Sequence, residues 1–166
     1  DTTTAVTTLN VNSAGGFIGS LGVAGTSTQA AGFTAVNIAS AADTTFANAA
    51  LAGNKTLTVS GSGVTTFTAL TAANNAALTS IVSTGGGLKI GTELANNVSF
   101  TGGAGNDEIA VGATTKAINM GAGNDVVTVS TTVLGAGGSI NGGDGIDTLV
   151  ANVNGSAFVG LPGFSG

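Results

Sequence analysis

Gly102-Gly103-Ala104-Gly105-Asn106-Asp107, Met120-Gly121-Ala122-Gly123-Asn124-Asp125 and Gly142-Gly143-Asp144-Gly145-Ile146-Asp147 are three versions of one hexapeptide. The first two begin 18 residues apart and the second two 22 apart, so the unit is two nine-residue half-coils, with four extra residues in the last interval. Phe100, Ile118 and Ile140 stand two residues before the turns, and Ile109, Val127 and Leu149 two residues after the aspartates. Alternate residues of a strand share a face, so these six point inward and Glu108, Val126 and Thr148 point out. Glycine turns that alternate with short β-prone runs at a fixed period predict an all-β chain wound into a parallel β-solenoid.

Working outward, a weaker copy lies upstream, where Val82 precedes Thr84-Gly85-Gly86-Gly87 and Lys89 falls at the aspartate position. The β-prone pieces Leu9-Asn10-Val11, Phe33 to Ile38, Leu57-Thr58-Val59 and Ile81-Val82 continue the coil with less regular glycines. The alanine-rich run from Ala47 to Ala52 reads as a connecting turn or a short helix, and Leu161 to Gly166, with the only proline at Pro162, as a loop leaving the last coil. The whole chain, 1–166, is thus expected to be one solenoid segment of a longer protein, with irregular coils over 1–77 and regular ones over 78–160.

Composition agrees. With 29 glycines and aromatics at 4%, the chain lacks the bulk for a conventional core and suits narrow stacked coils. A mean hydropathy of +0.47 argues against disorder, which goes with low hydrophobicity and high net charge. Lys55, Lys89 and Lys116 are the only basic residues against a net charge of −5, which excludes neutralising a nucleic-acid backbone. No apolar run reaches the length of a membrane span.

The turns carry the chemistry. Calcium takes six to eight oxygens, which backbone carbonyls and a few carboxylates can supply. Glycine allows the chain to turn its carbonyls inward, and one aspartate per turn adds charge. A single turn makes half a cage, and the coil stacked on it supplies the other half. Three turns define two gaps, so about two calcium ions are expected, one between Asp107 and Asp125 and one between Asp125 and Asp147, with Asp125 serving both. The candidate carbonyls are those of Gly102, Ala104, Gly105, Met120, Gly121, Ala122, Gly123, Gly143 and Gly145. The extra residues, placed in or near Leu134 to Gly138, spare the second gap if they bulge on the opposite side of the coil. Lys89, stacked over Asp107, would close the column with its ammonium group in place of an ion.

These turns resemble the RTX (repeats-in-toxin) family, whose nonapeptide is Gly-Gly-x-Gly-x-Asp-x-apolar-x. The resemblance implies a right-handed parallel β-roll with calcium-binding turns. It is specific over 102–150 and departs at Met120 and in the half-coils 111–119 and 129–137, so calcium should line one edge of the coil. A narrower similarity, closest from Thr92 to Val159, includes Phe100 to Gly105, Gly112 to Ile118, Leu134 to Ser139 and Val150 to Ser156. These stretches are similar to RsaA-type surface-layer (S-layer) proteins of stalked alphaproteobacteria. That similarity implies type I secretion, an extracellular place on the bacterial cell surface, and self-assembly of identical subunits into a calcium-dependent lattice. It also implies anchoring to lipopolysaccharide through another domain.

Other readings remain open at this stage. Any one glycine turn can be a tight turn whose aspartate caps its own backbone, though recurrence in register favours the cage. Asp144 sits where its carbonyl rather than its carboxylate would bind, and Glu93 and Glu108 read as surface charges. A stalk of a calcium-rigidified adhesin, or the secretion and folding module of an exported toxin or protease, would share the turns. A polysaccharide lyase or hydrolase using Asp144 and Asp147 is disfavoured because the chain has no His, Arg, Tyr or Cys to partner them, so no catalytic activity is expected.

Overall fold

A computed structural model of the chain describes residues 6–22, 33–153 and 164–165. Its strands are β1 (Thr8–Ser13), β2 (Gly16–Gly22), β3 (Ala35–Ser40), β4 (Thr44–Ala50), β5 (Thr56–Ser60), β6 (Thr65–Phe67), β7 (Ser80–Ser83) and β8 (Leu88–Leu94). They continue with β9 (Ser99–Thr101), β10 (Glu108–Val111), β11 (Ala117–Asn119), β12 (Val126–Val129), β13 (Ser139–Asn141), β14 (Thr148–Ala151) and β15 (Phe164–Ser165). Odd-numbered strands form an eight-stranded sheet and even-numbered ones a seven-stranded sheet. All pairings are parallel, and in each sheet every strand lies beside the next of the same parity. That is the order a chain produces by winding: each coil lays one strand on either side. The fold is therefore a parallel β-solenoid, with no helix among the described residues.

The residues that predict the coil are the ones that stack inside it. Leu9, Val36, Leu57, Ile81, Phe100, Ile118 and Ile140 occupy successive register positions of the larger sheet. From Val36 to Ile140 all of them are fully buried. Ile109, Val111, Val127 and Val129 face them from the smaller sheet and are equally enclosed. Each such side chain contributes about 1.5–3 kcal/mol by leaving water, repeated along the axis. Farther upstream the Phe46 and Phe67 rings stack in the same interior with centroids 5.1 Å apart. Many outer positions are short and polar, and Asn37 Nδ2, for instance, donates to Asn10 Oδ1 at 2.8 Å, although Phe17 in β2 and Val150 in β14 are exposed as well.

Two sequence expectations are corrected here. Ala47 to Ala50 belong to β4, where they extend a strand that pairs with β2, and only Ala52 lies in a turn. Thr44 and Phe46 alternate toward the interior, Ala49 and Ala50 are buried beyond them, and pairing with β2 overrides the helical preference of alanine. The closing residues are not wholly a loop: Phe164–Ser165 pairs with Ile140–Asn141 as β15. Residues 161–163 and 166 lie outside the described residues.

Coil length varies while the register holds. Equivalent positions are separated by 27 residues at Asn10 and Asn37, by 18 at Asp107 and Asp125, and by 22 at Asp125 and Asp147. The variation is absorbed at corners. The four extra residues of the last interval fall between β12 and β13, in the stretch 130–138, at the corner opposite the aspartate turns. There Gly135 N–H donates to Thr114 O at 2.9 Å, which keeps even the longer corner tied to the coil before it.

Candidate metal centre

One corner of the coil joins each strand of the larger sheet to the next strand of the smaller one. Its inward position runs through Thr44, Thr65 and Leu88 in direct register. Lys89 pairs with Glu108, Glu108 with Val126 and Val126 with Thr148, so one residue earlier the same column continues as Asp107, Asp125 and Asp147. The three aspartates singled out in the sequence are thus stacked on successive coils. Asp107 and Asp125 are each 1% exposed, and Asp147 is half-buried.

Each carboxylate reaches back one coil. Asp147 Oδ1 accepts the Asp125 N–H at 3.0 Å, and Asp125 Oδ1 accepts the Asp107 N–H at 2.7 Å. Asp107 Oδ1 accepts the Leu88 N–H at 2.6 Å and the Ser83 hydroxyl at 3.3 Å. The result is a staircase in which one oxygen of every carboxylate is occupied. The other oxygens of Asp107 and Asp125 are buried and meet no donor in hydrogen-bond geometry, although the Gly103 N–H lies near enough to the Asp107 carboxyl to lower its pKa slightly. An ionised carboxylate only accepts, so carboxylates stacked in this way cannot satisfy one another.

Titration reflects that strain. The Asp107 carboxyl is pushed up from 3.8 to about 6, chiefly by burial, against the lowering effect of the Leu88 N–H and with a further rise from the Asp125 charge. Asp125 is also raised, by burial first and by the neighbouring Asp147 carboxylate, with the Asp107 N–H opposing. A buried acceptor without a donor costs about 1–3 kcal/mol, and more when charged. Two such atoms on adjoining coils are what a bound cation would relieve.

The backbone around the column is shaped by glycine. The carbonyl oxygens of Gly121 and Gly123 press against Gly143 and Gly145 of the next turn, so closely that a Cβ at either position would collide with them. Those two glycines also hold φ of 93° and 134°, which other residues avoid. At Gly102 two oxygens converge on the space a side chain would fill: Asp107 Oδ2 of the same turn and the Met120 carbonyl of the next. Asp147 Oδ2 lies likewise over Gly142. Met120, which interrupts the glycine pattern, is completely buried and joins the apolar interior while its carbonyl faces the preceding turn.

The donor set fits a hard cation served largely by the main chain. Among the described residues no three Asp, Glu, His or Cys side chains converge on one point. Single carboxylates stacked with inward carbonyls suit calcium, which accepts backbone oxygens, better than zinc, which favours several nitrogen or sulfur ligands. Of the candidate carbonyls, that of Gly121 already accepts the Asp144 N–H at 2.8 Å, which leaves it one lone pair. The Asp144 carboxylate is exposed.

The expected role of Lys89 is corrected. Register places Leu88, not Lys89, above Asp107, because the turn before it is stacked 19 residues away and not 18. Lys89 faces outward and its Nζ meets Glu108 Oε2 at 3.4 Å, both side chains about half exposed. The column therefore ends on a buried leucine that offers only its backbone N–H. Sequence reasoning also missed the upstream counterpart of the corner. Thr44 Oγ1 donates to Ser13 Oγ at 2.8 Å, and Ser40 Oγ and Thr65 Oγ1 lie 2.7 Å apart, all four buried. Spaced hydroxyl residues were visible, but a chain this rich in Ser and Thr gives them no contrast. No known protein family matches the chain, and neither does any curated protein.

Proposed function

We propose that this chain is a structural segment whose coils are stapled by calcium at the aspartate corner, within a secreted surface-layer protein. The observation that carries the calcium reading is the pair of buried, unpartnered Oδ2 atoms on Asp107 and Asp125. Asp107, Asp125 and Asp147 would hold about two ions with carbonyls of the 102–107, 120–125 and 142–147 turns. Calcium would supply the positive charge that the stacked carboxylates lack.

The chain's own residues do the rest. Leu88, Asp107 and Asp125 donate backbone N–H groups that fix one oxygen of each carboxylate, and the second oxygens of Asp107 and Asp147 lie over Gly102 and Gly142 of their own turns. The glycines let adjoining turns approach to carbonyl contact. The unfolded chain has no such arrangement, so binding and ordering are coupled. Extracellular calcium modules commonly bind at about 10⁻⁴–10⁻³ M, a range in which the corner would stay empty at low calcium and fill outside the cell.

What supports the lattice role is the resemblance of the stretches between Thr92 and Val159 to S-layer proteins, part of which lies outside the calcium turns. Self-association would then use outer surfaces of the coil, with lipopolysaccharide anchoring left to another domain. The first test is a calorimetric calcium titration of the 166-residue chain with circular dichroism alongside. Saturation near two ions with a gain of β signal, lost in Asp125→Ala, is the expected result; no heat of binding at millimolar calcium would overturn it. Ordered sheets formed by the full-length protein on calcium addition would test the lattice role.

A further inference from the structure

The aspartates are preceded by residues that make a second, opposite set of bonds. Asn106 Oδ1 accepts the Asn124 N–H at 2.8 Å, and Asn124 Oδ1 accepts the Ile146 N–H at 3.0 Å. Each asparagine thus reaches forward one coil, while the aspartate beside it reaches back. Between the first two turns the bonds cross: Asn106 to the backbone above, Asp125 to the backbone below. Between the second two, Asn124 and Asp147 repeat the cross.

We infer that Asn106 and Asn124 are positioning residues for calcium: their side-chain amides hold adjoining turns at the separation the ion needs. The inference rests on the calcium reading above. A cation held by Asp107 Oδ2 and Asp125 Oδ2 would leave the N–H bonds at the two Oδ1 atoms in place. The asparagine bonds lie on the solvent side of the turn and use no candidate ligand atom, so they persist when the carboxylates are shared. They hold the gap in register before the ion arrives, so binding does not have to order it.

The upstream coil shows that this contact is separable from the carboxylate column. Asp43 Oδ1 accepts the Val64 N–H at 2.9 Å, one coil forward, and the inward neighbour there is Thr44. The forward bond therefore forms where no stacked aspartate exists, and an aspartate can make it. Asparagine at 106 and 124 provides the same acceptor without placing another charge beside Asp107 and Asp125.

The experiment compares calcium titrations of the unsubstituted chain, Asn106→Ala and Asn106→Asp, with melting in EDTA measured in parallel. A net hydrogen bond is worth about 0.5–1.5 kcal/mol, so Asn106→Ala should weaken calcium binding about two- to tenfold. Asn106→Asp keeps the acceptor and should bind at least as tightly as the unsubstituted chain. An Asn106→Ala chain that binds calcium normally, or one that no longer folds even in saturating calcium, assigns the amide to the fold alone and overturns the inference. So does Asn106→Asp if it binds as weakly as Asn106→Ala. Absence of binding in the unsubstituted chain overturns the calcium reading itself and is distinguishable from each of these results.

Discussion

The same corner of the same coil is filled in two ways. In the upstream coils it holds hydroxyl pairs, Ser13 with Thr44 and Ser40 with Thr65; downstream it holds the stacked carboxylates of Asp107, Asp125 and Asp147. A hydroxyl donates and accepts, so two of them close on each other and the corner is complete in the chain alone. A carboxylate only accepts, so Asp107 and Asp125, the two buried aspartates of the column, each keep an oxygen that no neighbouring carboxylate can satisfy. Between the two regions stands Leu88, buried and apolar, which ends the column. The same corner is thus closed by hydroxyls upstream and left with two buried carboxylate oxygens unpaired downstream, while away from the corner Asn48 Oδ1 and Asn54 Oδ1 are also buried without a partner.

Withdrawal of calcium should give the largest separation of the two. A ligand at a hundred times its Kd stabilises the state it binds by about 2.7 kcal/mol per site, and the loss should fall on the downstream coils. Hydrogen exchange in EDTA should show faster exchange over 102–150 than in calcium, with protection of 35–67 unchanged. Uniform loss along the chain would mean that the regions do not differ in this way.

Substitution of Asp125 sharpens the contrast further. Asp125→Ala removes the acceptor of the Asp107 N–H and, on the proposed arrangement, a carboxylate serving both gaps, so it should lower calcium-loaded stability more than Asp107→Ala or Asp147→Ala. Equal effects of the three on melting in calcium would count against sharing. Asp125→Asn keeps an oxygen for the Asp107 N–H while discarding the charge. In EDTA near neutral pH its melting temperature should equal or exceed that of the unsubstituted chain, and in calcium it should fall below.

Upstream, Thr65→Val leaves the Ser40 hydroxyl buried without its partner and should cost about 1–3 kcal/mol. The cost should be the same with and without calcium when both are measured by chemical denaturation. A calcium-dependent cost would link the two corners.

The smallest effect is that of pH on the calcium-free chain. The Asp107 carboxyl in the fold titrates near 6 and in the unfolded chain near 3.8, so between these values the fold binds more protons. Stability from this group is fully present below 3.8 and is lost as pH rises through 6. Asp125, raised in the same direction, adds to the trend. Melting in EDTA should therefore rise from pH 7 to pH 5, and the rise should shrink in Asp107→Asn to the part that Asp125 supplies.

Much of this was legible because a coil repeats its register in the sequence. The 18-residue spacing placed Phe100 over Ile118 and Asp107 over Asp125, where the structure has them. The sequence puts the extra residues near Leu134 to Gly138 without fixing the side of the coil from which they bulge, and the structure puts them at the far corner, between β12 and β13. Upstream the reading failed by one residue. Counting 18 back from Asp107 gave Lys89, whereas the coil there takes 19 and seats Leu88. Apolar alternation at Leu88 and Ile90, both inward, was the available signal, and the glycine run masked it.

The sequence by itself determined that the chain winds into stacked coils, which residues line the interior, and that three aspartates share one corner. These follow from period and alternation, which are properties of order along the chain. Only the tertiary structure decided which way each side chain reaches. That Asp125 grips the coil before it and Asn106 the coil after it, that Thr65 finds Ser40, and that two carboxylate oxygens are left buried without donors all depend on which atoms of separate coils meet. A one-residue change in coil length alters those meetings while leaving the pattern in the sequence almost unchanged.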